Sequence, residues 1–286
     1  MKIVVASGKG GTGKTTVATN LALVAGNAML MDLDVEEPND ALFMNPAYTG
    51  EKEVNMLVPI VDQDKCTNCG ICAQVCEFNA IAVLGKKTMT FHELCHGCGL
   101  CAYACPEKAI SEVPHPLGMI KFGKAKGMNF VEGVLNLGEP MATPLIRETK
   151  KEAKGDLVIM DAPPGTSCPV IEAIHGSDFC ILVTEPTPFG LWDLKLAVGV
   201  ARDLKVPLGV IINRDGIGDD GVERYCEEEN IEVLAKIPMD RRIAEAYSRG
   251  VPMVEALPAM RELFKAVLER VKHLSISKKD GEKAEA

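Results

Sequence analysis

Eight of the eleven cysteines fall in two runs of one spacing, Cys66-x2-Cys69-x2-Cys72-x3-Cys76 and Cys95-x2-Cys98-x2-Cys101-x3-Cys105. Three thiolates this close together can take three corners of one iron–sulfur cubane, and the fourth must come from elsewhere. Zinc is the competing metal, because four-thiolate sites also bind it, but zinc sites usually pair two Cys-x2-Cys units across a longer gap. A second constellation, Gly8-Lys9-Gly10-Gly11-Thr12-Gly13-Lys14-Thr15-Thr16, lies near the amino end. It meets the phosphate-loop pattern of Gly, four residues, then Gly-Lys-Ser/Thr. Its glycines let backbone N–H groups converge on phosphate oxygens, and a following helix start adds a favourable dipole. Lys14 is expected on the β- and γ-phosphates and the Thr15 hydroxyl on Mg²⁺.

Such a loop needs a strand before it and a helix after it. Ile3–Ala6 supplies the strand, and further apolar runs follow at 28–31, 157–160, 179–183 and 208–212, with 231–237 as another candidate. Runs apolar on both faces and separated by helix-length segments predict an α/β fold around a mostly parallel sheet with helices on both faces. Met260, Leu263, Phe264, Val267, Leu268, Val271 and Leu274 form one apolar helical stripe. It predicts a helix docked on the sheet; an amphipathic membrane-surface helix is the alternative. The cysteine runs repeat at 29 residues, with Gly70 recurring as Gly99 and Asn79-Ala80-Ile81 as Lys108-Ala109-Ile110. Halves this small must fold together. The expected organisation is an α/β domain of residues 1–59 and 115–274, interrupted by a cysteine domain at 60–114, with a mobile tail at 275–286.

Composition narrows the function classes. The 31 basic against 40 acidic residues give a net charge of −9, without the basic face that nonspecific nucleic-acid binding needs. No apolar run reaches membrane-span length and nothing resembles a signal peptide, so a soluble cytoplasmic protein is expected. In a reducing compartment, cysteines read as ligands or buried thiols rather than disulfides.

The extra lysine in the loop, Lys9, gives Lys-Gly-Gly-x-Gly-Lys-Thr, which resembles the deviant Walker A motif of the MinD, ParA, Mrp and nitrogenase-iron-protein superfamily. Outside that resemblance Lys9 reads as a solvated surface lysine. The resemblance implies a P-loop ATPase that closes as a nucleotide-sandwiched homodimer, with Lys9 reaching the partner's phosphates as an arginine finger does. Two more segments match. Met31-Asp32-Leu33-Asp34 with Glu36-Glu37-Pro38-Asn39 is similar to switch I, which makes Asp34 the residue that positions water and assists Mg²⁺. Asp156 to Gly165 is similar to Walker B running into switch II, placing Asp161 on Mg²⁺ and Gly165 near the γ-phosphate. Asn213, Arg214 and Pro238 fall on the family's base-side positions. With Gly216 where a guanine-reading aspartate would stand, ATP is favoured.

The cysteine runs have the spacing of two-cluster bacterial ferredoxins, a small α+β fold. That resemblance implies crossed ligation: Cys66, Cys69, Cys72 and Cys105 on one [4Fe–4S] cluster, Cys76, Cys95, Cys98 and Cys101 on the other. Glu77 departs from the pattern, standing where the second run has Pro106. Of the other cysteines, Cys180 and Cys226 read as packing residues. Cys168 lies near the place of a dimer-bridging cluster ligand in nitrogenase iron protein. For it a buried structural thiol and a bridging ligand both stay open. Three functions follow: ATP-gated electron transfer to a redox partner, ranked first; cluster assembly or delivery of Mrp type to a metallocluster-maturation partner; and a MinD/ParA-like positioning ATPase.

Overall fold

The computed structural model describes the backbone of residues 1–284 and the side chains of residues 1–275. The strands are β1 (Lys2–Ala6), β2 (Met29–Asp32), β3 (Ala47–Val61), β4 (Ile81–Leu84), β5 (Lys87–Thr90), β6 (Ile110–Ala125), β7 (Met128–Leu135), β8 (Val158–Asp161), β9 (Phe179–Thr184), β10 (Leu208–Asp215) and β11 (Val233–Pro238). The α-helices are α1 (Lys14–Ala25), α2 (Asp40–Met44), α3 (Ile71–Gln74), α4 (Leu100–Tyr103), α5 (Ala142–Lys151), α6 (Cys168–Ile174), α7 (Pro188–Asp203), α8 (Gly221–Glu228), α9 (Arg241–Ser248), α10 (Met253–Ala256) and α11 (Pro258–Ala284).

Two compact units emerge. The first comprises Met1–Glu51, Ile120–Val134 and the chain from Ile146 onward; the second comprises Lys52–Met119 and Leu135–Leu145. The second is wider than the 60–114 expected from the cysteines because the strands leading to and from them, β3 and β6, run on beyond those limits. Pro114 and Pro116, which look like a boundary in the sequence, lie inside β6. Proline is tolerated where its missing N–H faces no ladder partner.

The main sheet has the order β11-β10-β9-β1-β8-β2-β7-β6-β3. From β11 to β7 the neighbours are parallel. The six apolar runs read in the sequence are β1, β2, β8, β9, β10 and β11; β2, β8 and β9 are buried at every position and β1 at all but Lys2. β6 and β7 are joined by Lys126-Gly127, both at positive φ (49° and 86°), the conformation of a two-residue hairpin turn.

One face of the sheet packs Val17, Leu21 and Ala22 of α1 with Phe264, Val267, Leu268 and Val271 of α11 against Ile3, Val5, Ile159 and Phe179. Each such aliphatic or aromatic side chain contributes about 1.5–3 kcal/mol by leaving water. The apolar stripe is therefore spent on the protein's own core. The helix does not end at residue 274 but continues to Ala284, through most of the span expected to be a mobile tail. Residues 285–286 of that span lie outside the described residues. Among the described residues no helix is long and apolar enough to cross a membrane.

The second unit is held by two small clusters. Met56, Val58, Ala80, Cys95 and Leu117 form one; Cys72, Ile81 and Ile110 form the other. Its internal repeat is visible in the backbone. Gly70 and Gly99 cap α3 and α4 at φ 82° and 71°, and Asn79 and Lys108 occupy the left-handed region at 51° and 50°. β4 and β5 pair as an antiparallel hairpin.

Candidate nucleotide site and cysteine cavities

Three adjacent strands, β1, β8 and β2, end at one level. Val5 is in register with Asp161, and Asp161 with Asp32. The glycine loop leaves β1 there and turns into α1, at the carboxyl edge where open α/β sheets bind ligands. α1 begins after Gly13 with no side-chain cap and no acidic residue in its first turn, so its N-terminal amides are left for an anion. The loop admits no side chains at its tight points. A Cβ on Gly8 would sit 2.2 Å from the Asp193 carbonyl oxygen, and Gly13, at φ 97°, has the Asn213 amide 2.4 Å from where its Cβ would be.

Around this loop the expected residues converge. Thr15 donates to Asp161 Oδ2 at 2.7 Å, while Asp161 Oδ1 is buried without a partner. Burial drives the Asp161 carboxyl upward in pKa, with Lys14 and the Thr15 hydrogen bond opposing. The Thr15 hydroxyl and the Asp161 Oδ2 that it touches form a donor pair that suits Mg²⁺. Asp34 lines an open cavity with Glu36 and Glu37 on one side and Pro163, Pro164, Ser167 and Pro169 on the other, so the two expected switch segments face each other. Lys9 pairs with Glu185 at 3.3 Å, and Arg214 pairs with the same carboxylate. Asn213 donates its amide to the Thr12 carbonyl at 2.8 Å, bracing the loop. Pro238 ends β11 opposite Asp215.

Burial pushes the Asp34 carboxyl up to about 6, with Lys14 pulling against it. The unfolded chain releases that proton near pH 4, whereas the folded protein holds it to about 6. Stability therefore falls as pH rises across this window, and the full cost stands above it. A shift of this size, discounted for partial exposure, corresponds to about 1–2 kcal/mol. Nucleotide-free Asp34→Asn is expected to be more stable than the wild type by that amount at pH 8, the difference closing toward pH 4. Denaturant unfolding at several pH values checks it; a constant difference would remove Asp34 as the cause.

Three functional candidates escaped sequence reasoning. Asp32 was read as part of the Asp-x-Asp segment, yet it is Asp32, not Asp34, that stands in register with Asp161. Asp40 and Glu185 carry no motif signal; only folding brings them to the site.

In the second unit the thiols gather around two cavities. One is walled by Cys66, Cys69, Cys72 and Cys105; the other by Cys76, Cys95, Cys98 and Cys101. Each therefore collects three cysteines of one run and the last of the other. All eight are free thiols, with Cys69 and Cys98 exposed at the rims. Burial first, and neighbouring sulfurs after it, raise the thiols of Cys72, Cys95 and Cys101, the last to about 11. The sulfurs also receive backbone donors in matching positions, Ala80 N–H to Cys76 Sγ and Ala109 N–H to Cys105 Sγ, each at 3.3 Å. One zinc ion at about 2.3 Å from four sulfurs would draw them to about 3.8 Å from one another. Among the described residues, the side chains that meet within 4.8 Å as a metal-binding trio are carboxylates and not these cysteines. Four thiols around an open cavity suit a polynuclear iron–sulfur centre instead.

Cys180 and Cys226 are buried, their thiols raised to about 12 and 11, as packing residues are. Cys168 is not a buried thiol: it is exposed at the first position of α6, just past the Pro163-Pro164-Gly165 turn.

A parallel sheet with a glycine loop after its central strand, and carboxylates on the neighbouring strand ends, defines a P-loop nucleotide-binding protein. The chain belongs to the CobQ/CobB/MinD/ParA nucleotide-binding domain family, whose profile matches residues 3–253. It is 33% identical over 262 residues to an uncharacterized protein of Methanocaldococcus jannaschii, covering 87% of this chain and 90% of that one. To an iron–sulfur cluster carrier protein of the same organism it is 26% identical over 303 residues, covering 99% and 86%. Its fold is similar to MinD of Pyrococcus horikoshii in complex with Mg-ADP, with a TM-score of 0.58, 22% identity and coverage of 94% and 95%.

Proposed function

We propose that this chain is a cytoplasmic, ATP-hydrolysing iron–sulfur protein that works in the assembly or delivery of metalloclusters and carries two resident [4Fe–4S] clusters in a ferredoxin-like insert. The observation that carries the reading is the pair of four-cysteine cavities in a chain that also holds a complete phosphate loop. The likeness to iron–sulfur cluster carrier proteins supports assembly over electron transfer, which the sequence alone had ranked first.

In this reading Lys14 and the backbone amides from Gly10 to Thr16 hold the β- and γ-phosphates, and Thr15 with Asp161 would hold Mg²⁺, which would supply positive charge beside the phosphates. Asp34 orients the attacking water, and a carboxyl poised near 6 can accept its proton at neutral pH. Asn213, Arg214 and Pro238 border the adenine. Closure of a homodimer frees Lys9 from Glu185 for the partner's phosphates, and the exposed Cys168 becomes available to a bridging site. Cys66, Cys69, Cys72 and Cys105 hold one cluster; Cys76, Cys95, Cys98 and Cys101 hold the other. The clusters supply one-electron chemistry when bound.

Electron transfer stays as the second reading on one observation: each cavity already has its full set of four thiols with N–H···S donors, a site built to keep its cluster. Anaerobic protein loaded with labelled iron and mixed with an apo [4Fe–4S] acceptor enzyme separates the two. Label held beyond the two resident clusters should move to the acceptor and activate it with MgATP and not with ADP. If all label stays while ATP changes only the oxidation state, assembly is wrong and electron transfer stands.

A further inference from the structure

Beside the nucleotide site lies a group of three buried carboxylates, of which binding of MgATP uses only one oxygen of Asp161. Asp32, Asp40 and Asp161 are all buried, and one carboxylate oxygen from each lies within 4.8 Å of the others. Asp32 is satisfied by backbone: Oδ1 accepts from Asp34 N at 3.0 Å, and Oδ2 from Asn39 N and Asp40 N at 2.9 and 3.0 Å. A carboxylate offers about four lone-pair positions, so one remains. Asp40 is the anomaly. It is fully buried, yet neither of its oxygens has a hydrogen-bond partner, and Asp161 Oδ1 is orphaned next to it. The charged groups that act on Asp40 most strongly, Asp32, Asp161, Glu132 and Asp34, are all acids.

Carboxylates buried together without partners must either hold their protons or be compensated by a cation, and a cation displaces those protons when it binds. Hard divalent cations take carboxylate oxygens at about 2.0–2.6 Å, so two ligands of one ion stand at most about 4–5 Å apart, as this trio does. We propose that Asp32, Asp40 and Asp161 form a site for a hard divalent cation of the Mg²⁺ or Mn²⁺ class that fills without nucleotide. It is distinct from the Mg²⁺ that arrives with ATP, which uses Thr15 and the other oxygen of Asp161. Asp32 and Asp40 flank residues 33–39, so an ion joining them to the end of β8 clamps both ends of the switch I loop. Asp34 is then presented on a preformed loop. The inference stands whether or not the cysteine cavities hold clusters.

The test uses cluster-loaded, chelator-stripped protein without nucleotide, titrated with Mn²⁺ while free Mn²⁺ is read by electron paramagnetic resonance. About one Mn²⁺ per chain should bind, at least tenfold more weakly in Asp40→Asn and unchanged in Thr15→Ala. In the wild type, Mn²⁺ should also raise the thermal midpoint, because a ligand of the folded state stabilises it. That second measurement holds even if Asp40→Asn folds poorly. Absence of nucleotide-free binding in the wild type overturns the proposal, as does equal binding by Asp40→Asn. So does loss of binding in Thr15→Ala, which would mean that only the nucleotide's own Mg²⁺ site was being filled.

Discussion

Replacing Lys14 with alanine is expected to lower ATP turnover by about a thousandfold or more and to leave unchanged the visible absorption of the iron–sulfur centres proposed for the cysteine cavities. The size follows from what the ammonium does. Removing a single preorganised group that stabilises transition-state charge typically costs about 10²–10³ in rate, and Lys14 has a second task. It is the cation that opposes burial at both Asp34 and Asp161. Without it these carboxyls move further toward the neutral form, so the hold on Mg²⁺ weakens together with the hold on phosphate. The iron centres should not respond. Lys14 starts α1 in the first unit, whereas the cysteines sit on separate apolar clusters in the second. Steady-state hydrolysis beside the absorption spectrum of one preparation checks both halves. Loss of colour with loss of turnover would show that the two units do not fold independently.

What could be read from the sequence follows from where each side chain ends up. β1, β2, β8 and β9 are buried from both faces, so they appear as unbroken apolar runs that no surface element imitates. The glycine loop is legible because its chemistry needs a fixed local spacing, and so are the cysteine runs. β3 and β6 were not, since their exposed stretches mix polar, charged and proline residues: β3 is exposed from Ala47 to Glu53 before it alternates through Val54, Met56 and Val58. β3 owes its strand character to pairing with β6, a partner distant in sequence. Asp40 shows the same limit at the level of a site. Nothing in Asn39-Asp40-Ala41 distinguishes it from a surface acid opening a helix; only the packing of α2 beside the ends of β2 and β8 buries it. Cys168 errs in the opposite direction, since free cysteines are usually buried and this one is not.

Removing Cys105 should dismantle the centre of the first run, not of its own. Cys105 shares its cavity with Cys66, Cys69 and Cys72, and Cys76 shares the other with Cys95, Cys98 and Cys101. Cys105→Ala is therefore expected to reduce bound iron from about eight to about four per chain. Iron content alone does not tell which cluster went, but a second substitution does. If Cys69 and Cys105 serve one cluster, adding Cys69→Ala to Cys105→Ala removes little more iron, because that centre is already gone, whereas adding Cys98→Ala removes the remainder. Such non-additivity marks groups acting as one unit. The thiols left behind are no substitute. Burial pushes the thiols of Cys72 and Cys101 further from ionisation in the metal-free protein, and iron must displace those protons to bind, which three cysteines drive less well than four. The reverse pattern, Cys98→Ala silent and Cys69→Ala additive in the Cys105→Ala background, would show each run ligating its own cluster and refute the crossed assignment.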